Sequence, residues 1–186
     1  MMLLPDELYV SFRDTGRDLF LTGAVTTHGG NLSVRVGDRI IITRSGSMLG
    51  RLTKADILET GIDVCPADTG CSRELLVHRA IYHATDARAI VHAHTVHTIA
   101  RSLRTTLIEP VDSESRAIIG GVPVVSAEQA IASPEAAVFL SAELVNHVIA
   151  VLRTHGPFAT GATLEQAFYH VSCLEASCHV LDLLGR

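Results

Sequence analysis

Apolar residues along this 186-residue chain change period several times, and each change marks an element. After Pro5, Leu8, Phe12 and Leu19 recur at near-helical spacing, which predicts a helix running to about Leu21 with proline in its first turn. Gly29-Gly30-Asn31 interrupts that pattern. Leu32-Ser33-Val34-Arg35-Val36 then alternates apolar and polar, Gly37-Asp38 is a turn pair, and Arg39-Ile40-Ile41-Ile42-Thr43 follows, the signature of a β-hairpin. Thr53-Lys54-Ala55-Asp56 resembles a capping box over a short helical turn. Val77, Ala80, Ile81 and Ala84 stand at i, i+3, i+4 and i+7 and predict a helix over 72–84.

Further along, Ala89-Ile90-Val91-His92-Ala93-His94 reads as a short interior strand and Val122 to Val125 as another. Ser133-Pro134-Glu135 supplies a cap, a proline and a first-turn acid for a helix reaching about His147. Val148 to Leu152 predicts a strand that gives way at His155-Gly156-Pro157 to a loop. Thr163-Leu164-Glu165-Gln166 is a capping box, and its helix carries Leu164, Ala167, Phe168, Val171, Leu174, Cys178 and Leu181 on one stripe. Strands with flanking helices and no linker between them predict one α/β domain over 1–186, layered around a single core.

Composition narrows the function classes. With 47% hydrophobic and 19% charged residues, the chain is not disordered. A net charge of −5, with three Tyr, five Phe and no Trp, argues against a nucleic-acid surface, which needs clustered cations and stacking rings. The apolar run from Val138 to Leu152 is broken by Glu143, Asn146 and His147, short of the roughly 18 residues of a membrane span. Met1-Met2-Leu3-Leu4-Pro5-Asp6-Glu7 lacks a basic region and reads as no signal peptide. Cysteines at 65, 71, 173 and 178, without C-x-x-C spacing, read as reduced thiols of a cytoplasmic protein.

Ten histidines are the unusual feature. His92-Ala93-His94 on a strand would turn two imidazoles to the same face, able to converge on one cation; the plainer alternative is two polar residues on a wet face. A third ligand must come from elsewhere. His97 is nearest in sequence, but His155, at the end of an apolar run, is the better candidate, while His28, His78, His83, His147, His170 and His179 lack partner spacing. Glu74, at the edge of the buried helical stripe, can serve as a general base near a metal, or as a first-turn acid paired with His78. Three segments suit an anion: Gly29-Gly30-Asn31, Ser45-Gly46-Ser47, and Ser72-Arg73 at an expected helix N-terminus with free N–H groups.

The ordered set Gly30-Asn31-Leu32-Ser33, Thr43-Arg44-Ser45-Gly46, Ser72-Arg73-Glu74, His78-Arg79-Ala80-Ile81-Tyr82, Val91-His92-Ala93-His94-Thr95-Val96-His97 and His155-Gly156 resembles the class II aldolase/adducin family from about Asp14 to about His179. The resemblance implies a mixed central sheet flanked by helices in three layers, and a homotetramer with active sites between subunits. It implies Zn²⁺, or another divalent transition metal, on His92, His94 and His155, with Glu74 as catalytic acid/base. Asn31, Ser45, Gly46, Ser72 and Arg73 would then bind the substrate phosphate. The implied reaction is reversible cleavage of a small ketose 1-phosphate, of the L-fuculose 1-phosphate type, to dihydroxyacetone phosphate and an aldehyde through an enediolate.

Three departures stand out. Arg73 occupies a position that is commonly serine in the family. Val111-Asp112-Ser113-Glu114-Ser115 lacks the tyrosine of fuculose-phosphate enzymes, leaving Asp112 and Glu114 as groups able to replace it, or else a polar loop. The resemblance also implies a second tyrosine in a C-terminal tail, which the sequence up to Arg186 does not contain. Other members of the family are 4-epimerases, decarboxylases, dehydratases and non-catalytic adducin-like assembly modules; epimerases generally carry aspartate where Glu74 stands, and assembly modules lack the full histidine set.

Overall fold

A computed structural model describes residues 5–185; residues 1–4 of the N-terminal segment read above lie outside it. Eight strands form one sheet in the order β3-β2-β1-β4-β8-β7-β6-β5. They are β1 (Asn31–Val36), β2 (Arg39–Thr43), β3 (Ile57–Gly61), β4 (Ala89–His92), β5 (Leu107–Ile108), β6 (Val122–Val125), β7 (Ile149–Leu152) and β8 (Gly156–Gly161). Neighbours run antiparallel except β6 and β7, which are parallel, so the sheet is mixed.

Period-2 alternation sends each strand's side chains to two separate cores. Leu32, Ile41, Val91, Val151 and Ala159 face α1 (Asp6–Leu21) and α6 (Leu164–Leu183), with α3 (Val96–Ser102) and α4 (Ser113–Ile118) packed beside α6. Ile40, Ile42, Ile90, Leu152 and Phe158 face α2 (Leu75–Ala84) and α5 (Pro134–Glu143). A fully buried Leu, Ile or Phe stabilises by about 1.5–3 kcal/mol. A half-exposed pair such as Arg39–Glu59 adds about 0–1 kcal/mol, so apolar burial holds the layers.

The first helix and the β-hairpin stand where the pattern predicts them. The Thr53–Asp56 capping box is present, and the predicted stripe of α6 is buried except for the half-buried Phe168. At the start of α6, Thr163 accepts from the Gln166 N–H as expected, whereas Gln166 Oε1 accepts from Ala162 N rather than from Thr163.

Elsewhere the chain departs from the sequence pattern. The helix expected from Ser72 starts at Leu75, because Ser72 N donates to Thr43 O and keeps the chain tied to the end of β2. Ala84 is exposed, and His78 and Tyr82 join the buried face instead. The expected 89–94 strand ends at His92, since His94 N turns away to Ala24 O. The helix expected to reach His147 ends at Glu143, whose carbonyl accepts the Asn146 and His147 N–H groups of a closing turn. Gly156-Pro157 opens β8 rather than a loop, and Ser113–Ile118 is a helix capped by Asp112, not a polar loop.

Candidate metal centre

The sheet assembles the site from distant segments. In antiparallel register Asn31 lies opposite His92 across β1 and β4, while β8 places Phe158 opposite His92 and brings His155 to the strand's mouth. His92 Nε2 lies 2.8 Å from His155 Nε2 and 3.0 Å from His94 Nε2. Ligand atoms of the three residues lie within 4.8 Å of one another. His92 is stacked on Phe158 with ring centroids 4.0 Å apart, which locks its orientation. Its Nδ1 donates to Pro157 O at 3.0 Å, so the free lone pair is on Nε2, pointing at the cluster.

Burial holds all three imidazoles in the neutral form that ligates metals. His92 titrates well below the usual range through burial, reinforced by His155 and His94. His155 is pulled down to about 4 by burial and by the neighbouring His94 and Arg73, and His94 is lowered by burial. Three neutral, convergent imidazoles fit a divalent transition cation with a position left open.

Glu74 sits at the N-cap of α2 with non-helical backbone, and its side chain turns into the site rather than capping the helix. Its Oε1 lies 3.6 Å from His155 Nε2 and accepts from Ala132 N at 3.0 Å; Ala132 holds a left-handed φ of 52° to make that contact. Oε2 is buried and unpartnered among the described residues. Burial raises the Glu74 pKa, against the lowering effects of the Ala132 N–H and Arg73. The anticipated Glu74–His78 pair does not form, because both ring nitrogens of His78 are engaged by Asn31 and Ser33.

A cavity of about 310 Å³ joins these groups, and its lining includes Asn31, Ser45, Gly46, Ser72, Arg73, Glu74, His92, His94 and His155, the residues expected to hold substrate, metal or the transferred proton. The backbone N–H groups expected to cradle an anion are partly spent: Ser72 N goes to Thr43 O, Ser45 N to Gly70 O, and Glu74 N to Ser72 Oγ. Side chains therefore carry more of the cavity's polarity than the loops suggested. Arg44, Ser47, Ile131 and His28 also line it. His28 precedes the Gly29-Gly30-Asn31 segment and Arg44 precedes Ser45, so adjacency to the small-residue segments was the available signal; Ile131 left none. Asp112 and Glu114 lie outside the cavity, bonded to Ser115 N and Tyr169 OH, and His97 bonds Asp182 instead of joining the cluster.

Residues 11–181 match the family model of the Class II Aldolase and Adducin N-terminal domain. An L-fuculose phosphate aldolase of Methanocaldococcus jannaschii is 30% identical over 91% of this chain and 94% of its own length. A probable bifunctional methylthioribose-1-phosphate isomerase/methylthioribulose-1-phosphate dehydratase of Nocardia farcinica is 31% identical over 92% of this chain, which spans only 35% of that relative. The crystal structure of L-fuculose-1-phosphate aldolase from Thermus thermophilus superposes with a TM-score of 0.94 at 36% identity, covering 97% of this chain and 95% of that one.

Proposed function

Because the chain belongs to the class II aldolase and adducin family, we propose that it is a metal-dependent aldolase that reversibly cleaves a small ketose 1-phosphate to dihydroxyacetone phosphate and an aldehyde. One observation carries the reading: a buried carboxylate, Glu74, with one oxygen unpartnered, stands 3.6 Å from a cluster of three neutral histidines. A divalent cation on His92, His94 and His155, zinc by expectation, supplies Lewis-acid stabilisation of the negative charge that develops on substrate oxygens as the carbon–carbon bond breaks.

Glu74 moves the proton at the carbon next to the carbonyl. Its raised pKa brings the acid and base forms closer in energy, which one group needs to serve both directions of a reversible reaction. The Arg73 guanidinium and the Ser45 and Ser72 hydroxyls, with Asn31 and Gly46, hold the phosphate in the same cavity. A homotetramer with shared sites belongs to this reading, supported by exposed Leu103, Leu107 and Leu184. So does a reducing cytoplasm, supported by four free cysteines; no helix among the described residues is long and apolar enough to cross a membrane.

A second reading, dehydration of a ketose 1-phosphate, is favoured by the likeness to the Nocardia protein. The same carboxylate would remove the proton, with loss of water in place of carbon–carbon cleavage. Incubating the zinc-loaded protein separately with L-fuculose 1-phosphate and methylthioribulose 1-phosphate distinguishes them. Release of dihydroxyacetone phosphate supports the aldolase. A product lighter by one water, detected by mass spectrometry without cleavage of either sugar, overturns it in favour of the dehydratase.

A further inference from the structure

Beneath the cavity floor lies a buried chain of side chains that the reaction itself does not touch. Tyr82 OH is 2.8 Å from Ser33 Oγ, Ser33 Oγ is 2.6 Å from His78 Nδ1, and His78 Nε2 is 2.5 Å from Asn31 Oδ1. Ser33 and His78 are fully buried and Tyr82 is 1% exposed. We propose that Tyr82, through Ser33 and His78, fixes the Asn31 amide with its NH₂ toward the cavity, making His78 a positioning residue for a hydrogen-bond donor to an anionic substrate group. The substrate half of this inference rests on the phosphate-binding reading above.

Hydrogen counting sets the direction. Among the described residues, Ser33 Oγ is the only partner of the Tyr82 hydroxyl. If Ser33 donated to Tyr82, the phenolic hydrogen would be buried without an acceptor. If Tyr82 donates to Ser33, the serine hydrogen goes to His78 Nδ1, the imidazole hydrogen sits on Nε2 and goes to Asn31 Oδ1, and every hydrogen in the chain is used. Burial keeps His78 neutral, so it has one ring hydrogen to give. Asn31 has its oxygen occupied while it lines the cavity, which leaves its NH₂ as the group presented there. An amide oriented the other way would offer an anion an acceptor and repel it.

The test reads the proton and the ligand separately. In the zinc-loaded full chain labelled with ¹⁵N-histidine, long-range ¹H–¹⁵N spectra should show His78 as the Nε2–H tautomer. Tyr82→Phe removes the directing hydroxyl, so the tautomers should mix, and titration with inorganic phosphate should give a Kd weaker by roughly fivefold. Asn31→Asp should keep the Nε2–H tautomer, because the carboxylate still accepts from His78, yet lose phosphate binding. An Nδ1–H tautomer in the unsubstituted protein overturns the proposal, as does undiminished phosphate binding by either variant. If the unsubstituted protein binds no phosphate, the phosphate-site reading fails instead, and the tautomer still decides the direction of the chain.

Discussion

His92 Nε2 and His155 Nε2 lie 2.8 Å apart although 63 positions separate them in the chain, and their rings stack at an interplanar angle of 3°. His92 ends β4 and His155 stands in the turn that leads into the neighbouring β8, so the convergence is a property of the sheet. It predicts that neither histidine can be spared. His92→Ala or His155→Ala should reduce bound metal, read by elemental analysis after dialysis, to under about a tenth of the unsubstituted protein, because the ligands act together. Full retention of one ion per chain in either variant would refute the ligand set.

Glu74→Gln removes the carboxylate charge while keeping its shape and leaving all three imidazoles in place. Metal content should be unchanged, whereas exchange of the proton next to the carbonyl of dihydroxyacetone phosphate, followed by NMR in deuterated water, should fall by roughly 100-fold or more. Exchange at the original rate would remove Glu74 from the chemistry.

Gly156 links the metal site to the fold at one atom. Its φ is 138°, and a Cβ there would stand 2.1 Å from Ala93 O, a backbone atom next to both His92 and His94. Gly156→Ala should destabilise by roughly 3 kcal/mol or more and also lower metal content, since relief of the clash must displace one of the two strands. Thermal unfolding together with elemental analysis checks both; a variant that melts and loads like the parent contradicts the geometry.

Acid should weaken the fold through His78. Burial lowers its pKa to about 3 in the folded chain, whereas the unfolded chain protonates near the ordinary value of about 6.5. The unfolded state therefore binds the proton first as pH falls. The His78 contribution is complete above about pH 6.5 and is lost progressively between there and pH 3, roughly 1.4 kcal/mol per unit, or about 2 kcal/mol by pH 5. Urea unfolding across this range should show a shallower pH slope for His78→Gln than for the unsubstituted protein. Equal slopes would mean that His78 is accessible to protons in the folded chain.

Elements with a full local period were legible. Leu8, Phe12 and Leu19 marked the first helix, and the alternation around Gly37-Asp38 marked the hairpin. Elements supported mainly by their neighbours were not. β5 is two residues long and exists because Leu107 and Ile108 pair with Pro123 and Val122. β8 opens with Gly-Pro, which reads as a break because proline cannot donate to a ladder. In the fold Pro157 serves as an acceptor, its carbonyl taking both Ala93 N and His92 Nδ1.

The site divides the same way. Small residues, a paired H-x-H and an acid before a buried helical stripe are local patterns, and they named most of the residues that line the cavity. Ile131, the Ala132 N–H on Glu74 and the relay from Tyr82 to Asn31 carry no such pattern, because each depends on segments that meet only after folding.

The order of residues determined which side chains share a face and which chemistry they can offer, since side-chain periodicity and donor type are local properties. Which faces meet, and so which histidine completes the cluster and which way the Asn31 amide turns, was decided by the sheet order, with β4 held between β1 and β8. Strand neighbours are chosen by the burial of two whole apolar layers, a quantity summed over the entire chain that no short stretch of it contains.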